Sequence, residues 1–140
     1  MKKINLFVYG SLREGFFNYD KYLAGKVVEK KDAILENMRL YHMPYKGYPA
    51  ITPGNDKVLG EIMVINEEEY DETVKDMDEM EGFISENNPE NEYHKIVLEV
   101  KNLQTNEKEK CFVYFYNKDK DELFDSESVY IPNGDWKEYM

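Results

Sequence analysis

Only one stretch of this chain carries a helical repeat of apolar residues, and that scarcity restricts the fold more than any other feature. Tyr70, Val74 and Met77 recur at i, i+4 and i+7. Asn66 stands where a helix cap belongs, Glu69 where a capping box takes an acid, and Gly82 where a helix stops. This pattern predicts a helix over residues 67–80. Elsewhere the apolar residues fall in short β-branched and aromatic runs. Residues 4–9 form such a run and end abruptly at Gly10-Ser11. Residues 58–65 are apolar on both alternating faces, which marks a central strand, and Gly60 within them marks a bulge or a close backbone approach. Residues 93–101 alternate, a polar connection spans 102–110, and 111–116 form the return strand. The segment 25–43 reads as two strands or one bent strand, and 18–23 as a single helical turn. Pro44, Gly47, Pro49, Pro53 and Gly54 predict a loop over 44–54, with a brief pairing at Ala50-Ile51. A mostly β chain with one main helix, 140 residues long, predicts one domain over 1–140, of α+β class and barrel-like.

Composition removes several function classes. Eighteen basic against 29 acidic residues give a net charge of −11, a field that repels phosphate backbones and anionic membranes. Neither a nucleic-acid nor a membrane partner is expected. One cysteine excludes an internal disulfide, and two histidines with one cysteine cannot make the usual zinc ligand sets. The apolar run at 4–9 is too short for a signal-peptide core, and no later run could span a bilayer. The expectation is a soluble, cytoplasmic protein.

Several motif readings fail on inspection. Residues 10–15 lack the Gly-Lys-Ser/Thr ending of a phosphate-gripping loop and are not a dinucleotide fingerprint. Residues 117–121 begin like a calcium loop, but Glu122 replaces the required glycine and Ser128 the bidentate acid, so this is a solvated acidic loop. Cys111 lies in an apolar strand as a packing residue, and His42 and His94, without triad context, are structural. Two features remain. A strand that halts at Gly10 and turns through Ser11-Leu12 exposes consecutive backbone N–H groups, which can bind a carboxylate or stabilise an oxyanion. The same residues would equally make an ordinary strand-end turn. Glu81 falls four residues after Met77, on or near the apolar stripe, at the negative end of the helix dipole. Partial burial there, with Asp78 nearby, would raise its pKa toward the range of a proton-transfer group. A frayed helix end with its acid in water is the alternative.

These features occur within a larger set of motifs. Tyr9-Gly10-Ser11-Leu12, followed by Arg13, Gly15 and Asn18, resembles the N-terminal signature of the gamma-glutamylcyclotransferase-like superfamily. Tyr48-Pro49-Ala50-Ile51, Val58-Leu59-Gly60-Glu61 and residues 77–83 are similar to its tyrosine-proline-alanine segment, its valine-x-glycine-glutamate strand and the helix end that holds its catalytic acid. Tyr93-His94-Lys95 and residues 131–136 match two further motifs in order, although His94 replaces the usual arginine and Glu14 stands where many relatives are basic. The resemblance implies a small mixed six-stranded β-barrel with one main helix and short flanking helices. It implies an enzyme, without metal or cofactor, that cleaves a gamma-glutamyl amide. The substrate's own α-amine attacks the γ-carbonyl, forming 5-oxoproline and releasing an amine or amino acid. By carry-over, Tyr9, Gly10, Ser11 and Leu12 hold the gamma-glutamyl group and Glu81 is the catalytic base. The negative field favours a cationic amine or aminoglycoside-like leaving group. A non-catalytic small-molecule binding module on the same barrel is the competing reading.

Overall fold

A computed structural model of the protein describes residues 4–140. Its strands are β1 (Asn5–Val8), β2 (Val27–Met43), β3 (Tyr48–Ile65), β4 (Tyr93–Asn102), β5 (Lys108–Tyr116) and β6 (Val129–Ile131). Three helices, α1 (Tyr70–Met80), α2 (Phe124–Glu127) and α3 (Trp136–Tyr139), join them, with a π-helical turn at Tyr19–Leu23 and a 3-10 turn at Lys118–Lys120. Five strands close a ring in the order β3-β1-β5-β4-β2, because β2 also pairs with β3, and β6 attaches to β2 outside the ring. The pairings are antiparallel except β1 with β5. The six strands and the α+β barrel are as expected, with the refinement that only five close.

Residues 27–43 are the single bent strand of the two alternatives. Asn37 takes a left-handed conformation (φ 64°) beside a register shift between Glu36 and Met38, so one long strand pairs with β4 before the bend and β6 after it. The loop expected over 44–54 is corrected: the turn occupies only 44–47, and Pro49 and Pro53 lie within β3, opposite His42 and Met38. Proline is tolerated where its missing N–H would point away from the paired strand. The Pro49 carbonyl shows that geometry, since it leaves the β2 ladder and accepts the Tyr93 hydroxyl at 2.7 Å. In an antiparallel strand the N–H of a residue points to the same side as its carbonyl.

Both faces of the wall are packed. On the face covered by α1, Leu6, Val8, Met63 and Ile65 meet Tyr70, Val74 and Met77 of the helix stripe. On the opposite, inner face, Phe7, Val58, Ile62, Val100, Cys111 and Val113 fill the barrel. Gly60 marks the expected close approach: a Cβ there would lie 2.3 Å from the Val8 carbonyl oxygen and 2.6 Å from the Phe7 ring.

Helix α1 starts at Tyr70, three residues later than predicted, and the capping box does not form. The Asn66 side chain accepts the Glu68 N–H at 3.0 Å, a local bond that competes with helix initiation, and Glu69 caps without a side-chain bond. The C-terminus ends as predicted at Gly82 (φ 69°), whose N–H reaches Glu79 O while Phe83 N–H reaches Asp78 O. The incoming strand is stitched to this end, with Glu92 N–H on Gly82 O at 3.0 Å and Tyr93 N–H on Glu81 O at 3.1 Å. The helix terminus thereby brings Glu81, Glu92 and Tyr93 together.

Candidate active site

Beyond Val8 the chain turns tightly, with Arg13 N–H bonded to Gly10 O at 3.0 Å and Tyr19 N–H to Ser11 O at 3.1 Å. The N–H groups of Gly10, Ser11 and Leu12 have no acceptor among the described residues. The turn approaches β3 so closely that a Cβ on Gly10 would sit 2.6 Å from Pro49 Cγ. Its far side is anchored by charge. Buried Arg13 pairs with buried Glu61 at 3.5 Å and with Asp135, the N-cap of α3, at 3.0 Å, while Glu61 accepts the Glu14 N–H at 3.0 Å. A turn held on both sides keeps its donors preorganised, which is what stabilisation of a developing negative charge requires.

The residues of this turn line a cavity of about 90 Å³ that opens to solvent. Met80 and Glu81 at the end of α1, with Tyr48, Tyr93 and Tyr114, line the same cavity. All five residues singled out from the sequence, Tyr9, Gly10, Ser11, Leu12 and Glu81, line this one space. Four phenols are used internally: Tyr9 donates to Tyr114 O, Tyr48 to Glu92, Tyr93 to Pro49 O and Tyr114 to Asp78. Burial raises the pKa of each, with nearby carboxylates adding to it, so they remain neutral donors.

Three carboxylates surround the helix end in different circumstances. Asp78 receives the Tyr114 hydroxyl and Lys95 Nζ at 2.9 Å, and Glu92 receives the Tyr48 hydroxyl and Lys46 Nζ at 3.0 Å. Glu81 has neither a hydrogen bond nor an ion pair from any described side chain. Burial, then the charges of Glu92 and Asp78, push its pKa from 4.5 up to about 8. A lone carboxyl that titrates near neutrality can take a proton and return it.

Sequence reasoning missed Tyr114 and Glu92 and gave no role to Asn18, Tyr48 or Tyr93, which all line the cavity. A tyrosine alternating with Cys111 and Val113 on an apolar strand was the available signal for Tyr114. His42 accepts the Trp136 indole N–H at 3.0 Å, and burial lowers its pKa. His94 contacts Asn91, Cys111 is buried, and none of the three reaches the cavity. Among the described residues, no cluster of three or more His, Cys, Asp or Glu is placed to hold a metal, and no helix is long and apolar enough to cross a membrane.

Known proteins resemble this chain in sequence and in fold. The family model described as gamma-glutamyl cyclotransferase, AIG2-like matches residues 6–138. The gamma-L-glutamyl-butirosin B gamma-glutamyl cyclotransferase of Niallia circulans is 30% identical over 135 residues, covering 96% of this chain and 76% of that protein. Among solved structures, the uncharacterized protein PH0828 of Pyrococcus horikoshii superposes with a TM-score of 0.61 at 23% identity, over 98% of this chain and 92% of that one. An AIG2-like protein of Mus musculus gives 0.59 at 22% identity, over 80% and 76%. At these identities the two structures speak for the fold alone.

Proposed function

The chain belongs to the gamma-glutamyl cyclotransferase, AIG2-like family, and from that premise we propose that it cleaves a gamma-glutamyl amide by internal cyclisation. The observation that carries the reading is Glu81, an unpartnered carboxyl whose pKa is pushed up to about 8, lining the same cavity as a turn with unoccupied backbone donors. A gamma-glutamyl amide carries its own nucleophile, so no Ser or Cys is needed, and the enzyme's first contribution is a ring-closing pose. In the bound substrate the α-ammonium supplies the positive charge that Glu81 lacks, favouring the ionised carboxylate. Glu81 takes the ammonium proton, and the freed amine attacks the γ-carbonyl carbon. A C–N bond forms and the carbonyl electron pair moves to oxygen, which the N–H groups of Gly10 to Leu12 stabilise. The oxyanion then collapses and the original amide C–N bond breaks as Glu81 returns its proton to the departing nitrogen. The attacking nitrogen, which carries two protons once the new C–N bond has formed, gives one up through the freed carboxylate to the released amine, leaving a neutral lactam and an ammonium. The products are 5-oxoproline and a free amine or amino acid, with no cofactor consumed.

Glu92 also lines a second, open groove together with Asp121, Glu122, Lys46 and Lys120, which offers the leaving group a way out. The chain's net charge of −11 supports a cationic amine over an anionic one. A cytoplasmic setting belongs to the same proposal. The test is Glu81→Gln assayed for 5-oxoproline release from a panel of gamma-glutamyl amines, amino acids and aminoglycosides. The amide keeps the shape but cannot accept the proton, so turnover should fall at least about 100-fold. Glu79→Gln, on the exposed face of α1, should leave it unchanged. Wild-type turnover that survives Glu81→Gln removes Glu81 as the base. A wild type that binds these compounds without forming 5-oxoproline would establish the binding-module reading instead.

A further inference from the structure

The cavity holds one donor group whose orientation is set by a neighbour with no assigned role. Asn18 leads into the π-helical turn, and its side-chain amide nitrogen lies 2.7 Å from Ser11 Oγ and 4.0 Å from Met80 Sδ. All three residues line the cavity. The amide nitrogen is the atom turned toward Ser11, and the thioether of Met80, which is only an acceptor, is compatible with an NH₂ on this side. The Ser11 oxygen therefore receives a hydrogen bond from Asn18 and cannot donate one back. A hydroxyl has a single proton, and the Ser11 proton finds no acceptor among the described residues. It stands beside the three unoccupied N–H groups of Gly10 to Leu12.

We propose that Asn18 is a positioning residue that fixes the Ser11 hydroxyl as a fourth donor to the substrate's anionic group, the glutamyl α-carboxylate or the oxyanion formed from the γ-carbonyl. The inference rests on the cyclisation reading for the identity of the anion, but the donor arrangement is independent of turnover. A carboxylate offers about four lone-pair sites, and the turn supplies a matching number of donors without any cationic side chain. Without Asn18 the hydroxyl would rotate freely and donate only part of the time. The function of Asn18 is thus exercised entirely through Ser11.

The experiment is a double-mutant cycle of Ser11→Ala, Asn18→Ala and the double variant. It is read as kcat/KM for 5-oxoproline release and, separately, as calorimetric affinity for 5-oxoproline itself. Loss of a hydrogen bond to a charged group predicts a drop of about 10- to 100-fold for Ser11→Ala. Asn18→Ala should cost about 3- to 10-fold alone and nothing further in the Ser11→Ala background, since the group it orients is gone. A merely structural Asn18 would give the same penalty in both backgrounds, and that additive result overturns the proposal. So does a Ser11→Ala variant indistinguishable from wild type. If wild type binds 5-oxoproline with the predicted coupling but turns over nothing, the cyclisation reading fails and this assignment stands. If turnover is present and uncoupled to Asn18, the reverse holds, and absence of both binding and turnover overturns both.

Discussion

Replacing Glu81 by glutamine should make the protein more stable, by a margin that grows above pH 4.5 and is complete above about pH 8. In the unfolded chain this carboxyl releases its proton near 4.5, whereas in the fold it keeps it to about 8. Between those values folding takes up a proton, so stability falls as pH rises, and the whole penalty is present above about pH 8. At 1.36 kcal/mol per pKa unit, the span from 4.5 to about 8 corresponds to an upper bound of about 5 kcal/mol. Glu81 is partly exposed, and the water that reaches it reduces the penalty to roughly half. A domain of this size shifts its Tm by about 4 °C per kcal/mol, so Glu81→Gln should melt about 10 °C above wild type at pH 9. At pH 4.5 and below, where the glutamate approaches its neutral form, the two should melt together. The assay is a pair of thermal melts at each pH unit from 4 to 9, compared as the difference between variant and wild type, which cancels the remaining carboxylates. The helix dipole alone would give at most about 1 kcal/mol at this position. A difference of only a few degrees at pH 9 would therefore mean that the carboxyl is solvated and not buried, and a flat difference would refute the reasoning altogether.

Glu92→Gln removes a negative charge that raises the Glu81 pKa, so the acidic limb of the pH–activity curve should move to lower pH. An unmoved or alkaline-shifted limb would assign that limb to another group. Tyr114→Phe leaves Asp78 with Lys95 alone and should cost about 1–2 kcal/mol, read from denaturant midpoints. Gly60→Ala places a methyl group 2.3 Å from the Val8 carbonyl oxygen and against the Phe7 ring, so it should destabilise by about 3 kcal/mol or more, and a neutral result would show that β1 and β3 can separate locally.

What could be seen in the sequence was whatever a single segment encodes. The run into Gly10, the Tyr70–Val74–Met77 stripe and the stop at Gly82 are local patterns with local causes, and Glu81 stood out because it broke one of them. The prolines of β3 misled because their tolerance depends on which strand edge is paired, a property of the assembled barrel. Likewise, Asn66 and Glu69 satisfied the spacing of a capping box, but spacing cannot decide between a bond to residue 68 and one further along. Glu92, one loop after Glu81, reaches the cavity through the stitching of that loop and β4 to the helix end, and Tyr114, distant in the chain, reaches it on β5, the partner of β4. Nothing in their own neighbourhoods distinguishes them from surface acid and core tyrosine.

Because the barrel wall is apolar on both sides, burial alone cannot set the alignment of its strands. In a sheet with one wet face, a slip of a single residue turns the apolar set toward water, and the cost enforces the register. In β3 the same slip would exchange Val58 and Ile62 for Met63 and Ile65, one buried set for another. What forbids it is the polar step at 60–61. Displacement in either direction brings a residue with a Cβ to the point where only glycine fits beneath Phe7. It also carries Glu61 to the inner face, away from Arg13 and the Glu14 N–H, at a cost of about 3–5 kcal/mol for an uncompensated buried charge. Gly60-Glu61 thus acts as an alignment key for the strand, while the apolar residues around it remain free to interchange.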